Sequence, residues 1–460
     1  MQTLVDRSGV LEHGLHAIRD EFAIPETFPD AVFAAAERAV ARTLTGHVDR
    51  TAQRFVTLDP ATSTDLDQAF AIERAGVTLL LHYAIADVGW FVDDGDPLDR
   101  EAWKRGTTSY LPDGKAPLYP PLLSEGAASL LPGAPRPAVV FTIAVAPDGS
   151  VRLDGAERAL IRNAAKLAYD TVRERDLPDG FLELASRIRD AEQRRGAARV
   201  DPPGQEVVRQ SDGGYELRFD PRLWSEECNA ALSLAANLAI AAALIEHGTG
   251  LFRVMPEPDA GAVRRLRATA AALGLAWPAM ATLAQFQRTL DPARAMDAAF
   301  MFAIRRAGQG ASYEAYQPGT QPWHAAVAAP YTHATAPLRR LCDRYVIGAA
   351  LSIAAGQRVP AAVTEAFARL PKVMARADAQ AGRIDRAVID LAEAVMLANR
   401  VGETFAAVVT ETDERGARIQ LREVAIVARV AAAGVAPGDR LRVRLERVDP
   451  AARRIDFALA

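Results

Sequence analysis

The spacing of apolar and polar positions changes character three times along the chain. Over residues 1 to about 45 it is helical, and the run AVFAAAERAVARTL (31–44), preceded by FPD, predicts a helix with Asp30 as its N-cap. At Phe55 a β-prone run, Phe55-Val56-Thr57-Leu58, takes over and ends at Asp59-Pro60. DLDQAFAI, a turn at Gly76 and the apolar VTLLLHYAIADVGWFV follow, and strands with Pro- and Gly-rich turns (LPDGKAPLYPP, APDG) are expected to about residue 155. From about 161 to 395 the spacing is mostly helical, interrupted by DPPG (201–204), SDGG (211–214), MPEPDAG (255–261) and YQPGTQPW (316–323). The nearly apolar stretch 230–245 is under spanning length and carries Ser233 and Asn237, so it predicts a buried helix and no membrane segment. The last stretch, from about 403, returns to five short strands (ETFAAVVT, GARIQL, EVAIVARV, DRLRVRLERVD, RRIDFAL), the pattern of a small antiparallel barrel. No internal repeat or low-complexity tract is visible.

Composition narrows the picture. With 460 residues, half of them hydrophobic and 24% charged, the chain has room for two to four domains and a large core. A mainly disordered, collagen-like or disulfide-stapled protein is excluded. The net charge of −4 excludes a polycation, so any nucleic-acid contact has to come from a locally basic groove. Only four lysines (Lys104, Lys115, Lys166, Lys372) stand against fifty arginines. Coding bias in a GC-rich genome accounts for that ratio, although arginine's fork also suits a phosphate-lined channel. Cys228 and Cys342 lie far apart with no metal-type spacing, which fits a reducing cytoplasm and thiols used as small apolar groups. The start, MQTLVDRSGV, has neither the basic region nor the apolar core of a signal peptide. The fold class expected is α+β, and for the terminal five strands the OB-fold is the commonest arrangement.

Two segments carry chemistry. In LDPATSTDLDQAF, Asp65 and Asp67 are two apart and would share one face of a strand, with Leu66 pointing the other way. The short loop PATST could return Asp59 beside them. Three converging carboxylates repel unless a cation sits between them, and hard oxygen ligands of this kind select magnesium or manganese. An EF-hand is excluded, because the loop lacks the Gly and the Glu that motif requires. A solvated acidic turn remains the other reading of this segment alone. The second segment is YTHATAPLRRLCDRY (331–345), where Arg339 and Arg340 would open a helix and, with its first amides, form an anion site. A capped helix with solvated arginines is the alternative there.

Taken together, these segments resemble the catalytic RNB domain of the ribonuclease II family. The resemblance runs from about residue 22 to 380 and rests on FVTLDPATSTDLDQAF, AIADVGWFV, RGTTSYLPDGKAPLYPPLLSEGAASL, LFRVMPEPD and YTHATAPLRRLCDRYV. It implies an RNB domain over 51–395, a sheet core with helices around a central RNA channel, and a C-terminal OB-fold RNA-binding domain over 400–460. Residues 1–50 are left as a small helical segment with room for a helix-turn-helix. The implied activity is hydrolytic 3′→5′ exoribonuclease action on single-stranded RNA entering by its 3′ end, releasing nucleoside 5′-monophosphates. Asp59, Asp65, Asp67 and Gln68 would hold Mg2+, with Mn2+ as a substitute, and Asp67 and Arg339 would be catalytic. A metal pair can activate water and stabilise the leaving oxyanion, while Arg339 would neutralise charge on the scissile phosphate.

The resemblance also implies a grip on the strand. Tyr110 corresponds to a tyrosine that packs against the terminal nucleotides, and Tyr169 to one linked to ribose preference. One of Glu226 and Glu227 corresponds to a glutamate near the terminal sugar. His333, Thr335 and Arg340 are expected as helix-entry and phosphate-positioning residues bearing on the RNA. Partly buried tyrosines of no special role remain the other reading of Tyr110 and Tyr169.

Departures from the family pattern matter equally. A fourth aspartate is Gln68 here, a histidine ahead of IADV is Ala84, and no aromatic occurs between residues 182 and 214 to oppose the tyrosine clamp. The two N-terminal cold-shock domains of long members have no room, so a shorter, more open path and entry into structured RNA are expected. Gln68 feeds the competing reading, an RNB-fold protein that binds RNA without cutting it; an endonuclease or a DNA nuclease is a third. No membrane and no obligate protein partner are expected.

Overall fold

Two amphipathic helices lead the chain. In α1 (Val10–Glu21) the buried face is Leu11, Leu15 and Ile18; in α2 (Asp30–Val40) it is Val32, Ala35, Ala36 and Ala39. Asp30 is not the cap. It lies inside the first turn, where its charge faces the positive helix end, and the helix stops at Val40. The computed structural model describes residues 9–197, 204–210, 213–219, 223–291, 294–308, 310–413, 416–422 and 426–460. Most of the DPPG turn, the first half of SDGG and the first three residues of EVAIVARV lie outside these described residues, as do residues 1–8.

The strands that follow close into a barrel. β1 (Val48–Asp59), β2 (Gln68–Ala75) and β3 (Thr78–Ala86) form an antiparallel meander. An excursion then inserts α3 (Val88–Phe91), α4 (Pro97–Arg105) and a hairpin of β4 (Ser109–Leu111) and β5 (Gly114–Ala116). The chain returns through β6 (Arg136–Val145) and β7 (Val151–Ala168), and β7 pairs in parallel with β1 to complete the order β1-β2-β3-β6-β7. The expectation of helix from residue 161 is corrected here. β7 runs to Ala168 because its second half is the closing edge against β1, and that pairing overrides the local spacing.

Helices then cover the barrel. In order come α5 (Phe181–Arg195), a hairpin of β8 (Gln205–Arg209) and β9 (Tyr215–Phe219), α6 (Trp224–Glu246), β10 (Leu251–Val254), α7 (Ala260–Ala272), α8 (Leu283–Gln287), α9 (Ala295–Ala307) and β11 (Ser312–Ala315). Two longer helices, α10 (Leu341–Ala354) and α11 (Ala361–Leu397), end this part. α6 is long and apolar enough to cross a membrane, yet two thirds of its apolar window (67%) is buried, with α5, α10, β6 and β7 packed around it. It is the core helix its Ser233 and Asn237 suggested. α1 shares a core with α11, whereas α2 belongs to the main core with α3 and α4. Among the described residues the two leading helices thus pack into different cores.

The last five strands are β12 (Thr404–Asp413), β13 (Gly416–Leu421), β14 (Val427–Val430), β15 (Arg440–Asp449) and β16 (Arg454–Leu459). They close in the order β12-β13-β14-β16-β15 with one parallel pair, β14 with β16, which is the OB-fold arrangement. Phe405, Val409, Ile419, Val443, Leu445 and Phe457 fill it, and Leu397 of α11 and Leu217 of β9 join the same core.

Candidate active site

Three distant segments are drawn together, two of them by backbone bonds and the third through the side chain of Asp67. The first is the strand-end loop from Asp59 to Gln68. Leu66 is fully buried; its N–H donates to Ser129 Oγ (2.9 Å), and its carbonyl accepts from Leu130 (3.0 Å). That clamp fixes the direction of the residues on either side, so the alternation expected of a strand is kept in a loop. The second segment leaves α4 through Gly106, at φ +74°, where an added Cβ would stand 2.9 Å from that of Ala377. The third is 335–341. Thr108 N–H donates to the Arg339 carbonyl and Leu341 N–H to that of Gly106, both at 3.0 Å.

Asp67 is where the first and third segments meet. Its side chain is buried; Oδ1 accepts from Leu338 N–H (2.7 Å) and Oδ2 from Arg339 Nε (3.2 Å). Burial pushes the Asp67 carboxyl up to about 7, against the pull of Arg339 and the Leu338 amide. The Arg339 side chain remains 46% exposed, so its guanidinium is open to a ligand. Asp59 ends β1, and burial raises its carboxyl to about 6 despite Arg339 and Lys166, with Asp65 adding to the rise. Among the described residues the Asp59 carboxylate has no hydrogen-bond or ion-pair partner. Asp65 is engaged: Lys115 Nζ stands 2.8 Å from one oxygen, and the Tyr110 hydroxyl donates to the other at 3.4 Å.

These residues fit a hard divalent cation in donor chemistry. A half-buried carboxylate without a partner among the described residues, with the charge of Asp65 bearing on it, is a fit donor for a cation. Among the described residues, however, no three acidic, His or Cys side chains form a ready cage. Asp65 is drawn to Lys115 and Asp67 to Arg339. Gln68 opens β2, and its side-chain carbonyl accepts the hydroxyl of buried Tyr83.

The other sequence-predicted residues divide into two groups. Tyr110, on β4, is half exposed beside Asp65. Tyr169 follows β7; its N–H donates to the Asp59 carbonyl (3.2 Å), and Asn229 Nδ2 donates to its hydroxyl (2.9 Å). Burial first, then Asp59, pushes the Tyr169 phenol up to about 12. Of the two glutamates, Glu226 is the one whose charge bears on Tyr169; it also accepts Leu223 N–H (3.0 Å) as the cap of α6. Glu227 is exposed, and its charge bears on Cys228 instead.

His333, Thr335 and Arg340 are turned to other work. The His333 ring is held by the Tyr313 hydroxyl (2.7 Å) and packs edge-on against Tyr331; burial and Arg340 push its pKa well below the usual range, so it is neutral. Thr335 is buried and bonded to Ser233 Oγ (3.0 Å). Helix α10 begins at Leu341, after both arginines, and Arg340 grips Asp343 with two bonds (3.1 and 2.8 Å). The anion site expected from helix amides and paired arginines is thus corrected: Asp343 fills the first turn and holds Arg340, and of the two arginines it is Arg339 that bonds the carboxylate of Asp67.

Several participants were not singled out from sequence. Lys115 could have been, since the Pro-Asp-Gly turn places it across the hairpin from Tyr110. Asn229 follows Glu226 by one helical turn, on the same face. Asp343 and Tyr83 carried no signal of their own.

Residues 403–460 match the RNase II-type exonuclease C-terminal S1 domain. The chain is 27% identical over 446 residues to ribonuclease R of Thermotoga maritima, covering 89% of this chain and 62% of that protein. To ribonuclease R of Escherichia coli it is 25% identical over 501 residues, 95% of this chain and 60% of that one. The chain thus spans about three-fifths of the length of these relatives. In fold it is similar to Mycoplasma genitalium RNase R, solved in complex with ribose-methylated single-stranded RNA, with a TM-score of 0.87 at 20% identity over all of this chain and 79% of that one. Residues 47–348, most of the chain and every carboxylate of the site, match the RNB domain, and the protein belongs to that family.

Proposed function

We propose that the protein is a metal-dependent hydrolytic 3′→5′ exoribonuclease that takes single-stranded RNA by its 3′ end and releases nucleoside 5′-monophosphates. The observation that carries this reading is Asp67 locked to Leu338 and Arg339, with the charge of the same arginine bearing on Asp59, whose carboxylate has no hydrogen-bond or ion-pair partner among the described residues. Asp59, Asp65 and Asp67 are the residues that would hold Mg2+ or Mn2+, which when bound supplies an activated water and charge relief for a leaving oxyanion. Arg339, anchored through Nε, offers the rest of its guanidinium to the scissile phosphate. The Tyr110 ring, half exposed, supports stacking of a terminal base. The Tyr169 hydroxyl accepts from Asn229 and so keeps its own proton to donate, which supports recognition of a ribose 2′-hydroxyl. The two buried, unpaired cysteines support a reducing cytoplasmic setting.

The test is incubation of 5′-labelled single-stranded RNA and matched DNA with the protein, with magnesium or with a chelator. A ladder shortening from the 3′ end, mononucleotide release and loss of both on chelation are expected. RNA bound but left intact in magnesium would favour the binding-only alternative.

A further inference from the structure

We propose that α1 is a positioning arm for the grip on the strand, and that Arg19, through its pair with Asp113, sets where the Tyr110 ring stands. Arg19 lies ahead of the residues that match the RNB domain, 47–348. The inference rests on the exonuclease reading above and adds to it what holds the stacking side chain and so fixes the length of the shortest product. Its starting point is the smallness of the β4–β5 hairpin. With three residues in each strand, such a hairpin has no stability of its own, so its place is set by what it packs on. Its two faces look different ways. Tyr110 and Lys115 stand opposite each other in the register and face the site. The tyrosine hydroxyl donates to Asp65 Oδ2 (3.4 Å), and the lysine ammonium lies between Asp65 (2.8 Å) and Glu125 (3.1 Å). Leu111 and Ala116 are on the other face and enter a core with Leu11, Leu15 and Ile18 of α1.

α1 is itself anchored. Ile384, Val388, Leu391 and Ala392 of α11 complete the same core. The two helices close at Gly14, where an added Cβ would stand 2.5 Å from a methyl of Leu391. Just past the helix, Gln380 Nε2 donates to the Phe22 carbonyl (3.1 Å). Glu21 pairs with Arg453, in the turn between β15 and β16 of the terminal barrel. The hairpin thus leans on an element that is held by α11 and by the barrel.

Arg19, in the last turn of α1, is the polar link between helix and hairpin. Its Nε and Nη2 each donate to one oxygen of Asp113, at 2.9 Å, and Asp113 sits in the turn that follows β4. The two side chains are 13% and 16% exposed. A forked, two-bond pair fixes direction as well as distance, and water competes little with it at this burial. A side chain that grips a ligand has to be held within about 0.5 Å by its supports. Without the pair the hairpin keeps its apolar contacts yet can slide and tilt on α1, and the Tyr110 ring moves with it.

The experiment follows 5′-labelled single-stranded RNA in magnesium with the full-length protein, with Arg19→Gln, Asp113→Asn and Tyr110→Ala, and with Arg19→Gln and Tyr110→Ala combined. Arg19→Gln and Asp113→Asn should each lengthen the shortest product, as Tyr110→Ala does. Trimming of a short oligonucleotide should slow by roughly fivefold, the low end of what one stacked base is worth, while a long strand is shortened at the parent's rate. In the double variant the ladder should be that of Tyr110→Ala alone, because Arg19 acts through the ring. The parent's ladder in both Arg19→Gln and Asp113→Asn, or a further lengthening in the double variant, would overturn the proposal while leaving the exonuclease reading intact. So would the signature of a mere brace for the fold: a lowered unfolding midpoint, long and short strands slowed alike, and the ladder unmoved. A parent that leaves RNA uncut in magnesium would overturn that reading and this proposal with it.

Discussion

Glu393 sits where α11 meets the C-terminal barrel, and it is the clearest lever on stability. It is buried, its Oε1 accepts from Gln205 Nε2 (2.7 Å) and Val427 N–H (3.1 Å), and burial pushes its carboxyl from 4.5 up to about 7, with the Asp390 charge adding to the rise. A folded-state pKa above the unfolded one means that folding favours the protonated form. The contribution is fully present below about pH 4.5 and is lost as pH rises through 7. At about 1.4 kcal/mol per pH unit the full loss is about 3 kcal/mol, of which about 1 has gone by pH 5. Glu393→Gln keeps the accepting oxygen and replaces the protonated acid with a neutral isostere. Urea unfolding of parent and variant, followed by circular dichroism at pH 5 and pH 8, should show the variant's advantage growing by about 2 kcal/mol between the two. Comparing the two proteins at each pH cancels other titrating groups. An advantage that stays flat between pH 5 and 8 would show that Glu393 is already ionised in the folded state, and the burial argument would fail.

The remaining expectations concern the site. Asp67→Asn should abolish cleavage while leaving RNA binding nearly intact; hydrolysis within roughly tenfold of the parent, about 1.4 kcal/mol in barrier, would remove Asp67 from the catalytic set. Tyr110→Ala should lengthen the shortest undegraded oligonucleotide, since stacking is worth about 1–3 kcal/mol per base and no other aromatic is expected opposite it; an unchanged ladder on a sequencing gel would contradict the assignment. Tyr169→Phe should lower the preference for RNA over DNA by roughly fivefold, the worth of about 1 kcal/mol for one hydrogen bond, and equal ratios in parent and variant would exclude it as the ribose reader.

What could be read from the sequence followed from local rules. The carboxylate spacing of Asp59, Asp65 and Asp67 and the Pro-Leu-Arg segment were visible because each is contiguous. The terminal barrel was visible because its strands alternate cleanly between short turns. The end of β7 was not, since Ala165 to Ala168 are strand only by pairing with Val56 to Asp59 a hundred residues earlier. The direction of Thr335 was hidden for a similar reason: the hydroxyl that claims it, Ser233, lies on α6. Arg339 and Arg340 look alike in sequence and part company in space. Asp343, one helical turn on, captures Arg340, and the buried Asp67 captures the other. Lys115 shows the same limit, because a hairpin register names the residue opposite it and cannot name Asp65 or Glu125 on other loops.

The placement of Arg339 depends less on its ion pair than the geometry first suggests, and this bears on how Asp67→Asn is to be understood. The Arg339 carbonyl is held by Thr108 N–H, the next residue but one is held by Gly106, and Leu338 and Ala336 are buried. Ala336 N–H is fixed separately, by Asp343 Oδ2 at 2.7 Å. Four anchors that do not involve the Asp67 charge therefore set this stretch of backbone. An asparagine at 67 keeps an oxygen for Leu338 N–H, at 2.7 Å in the parent, but sets an NH2 group where Oδ2 accepts Arg339 Nε, so the negative charge and the side-chain anchor of Arg339 are lost together. The variant then removes one carboxylate from the proposed cation's surroundings and frees the Arg339 side chain, while the backbone that carries the arginine, the tyrosines and the OB-fold barrel keep their positions. A loss of cleavage with binding retained would measure the missing charge together with the released Arg339 side chain, and not a collapse of the loop that carries it.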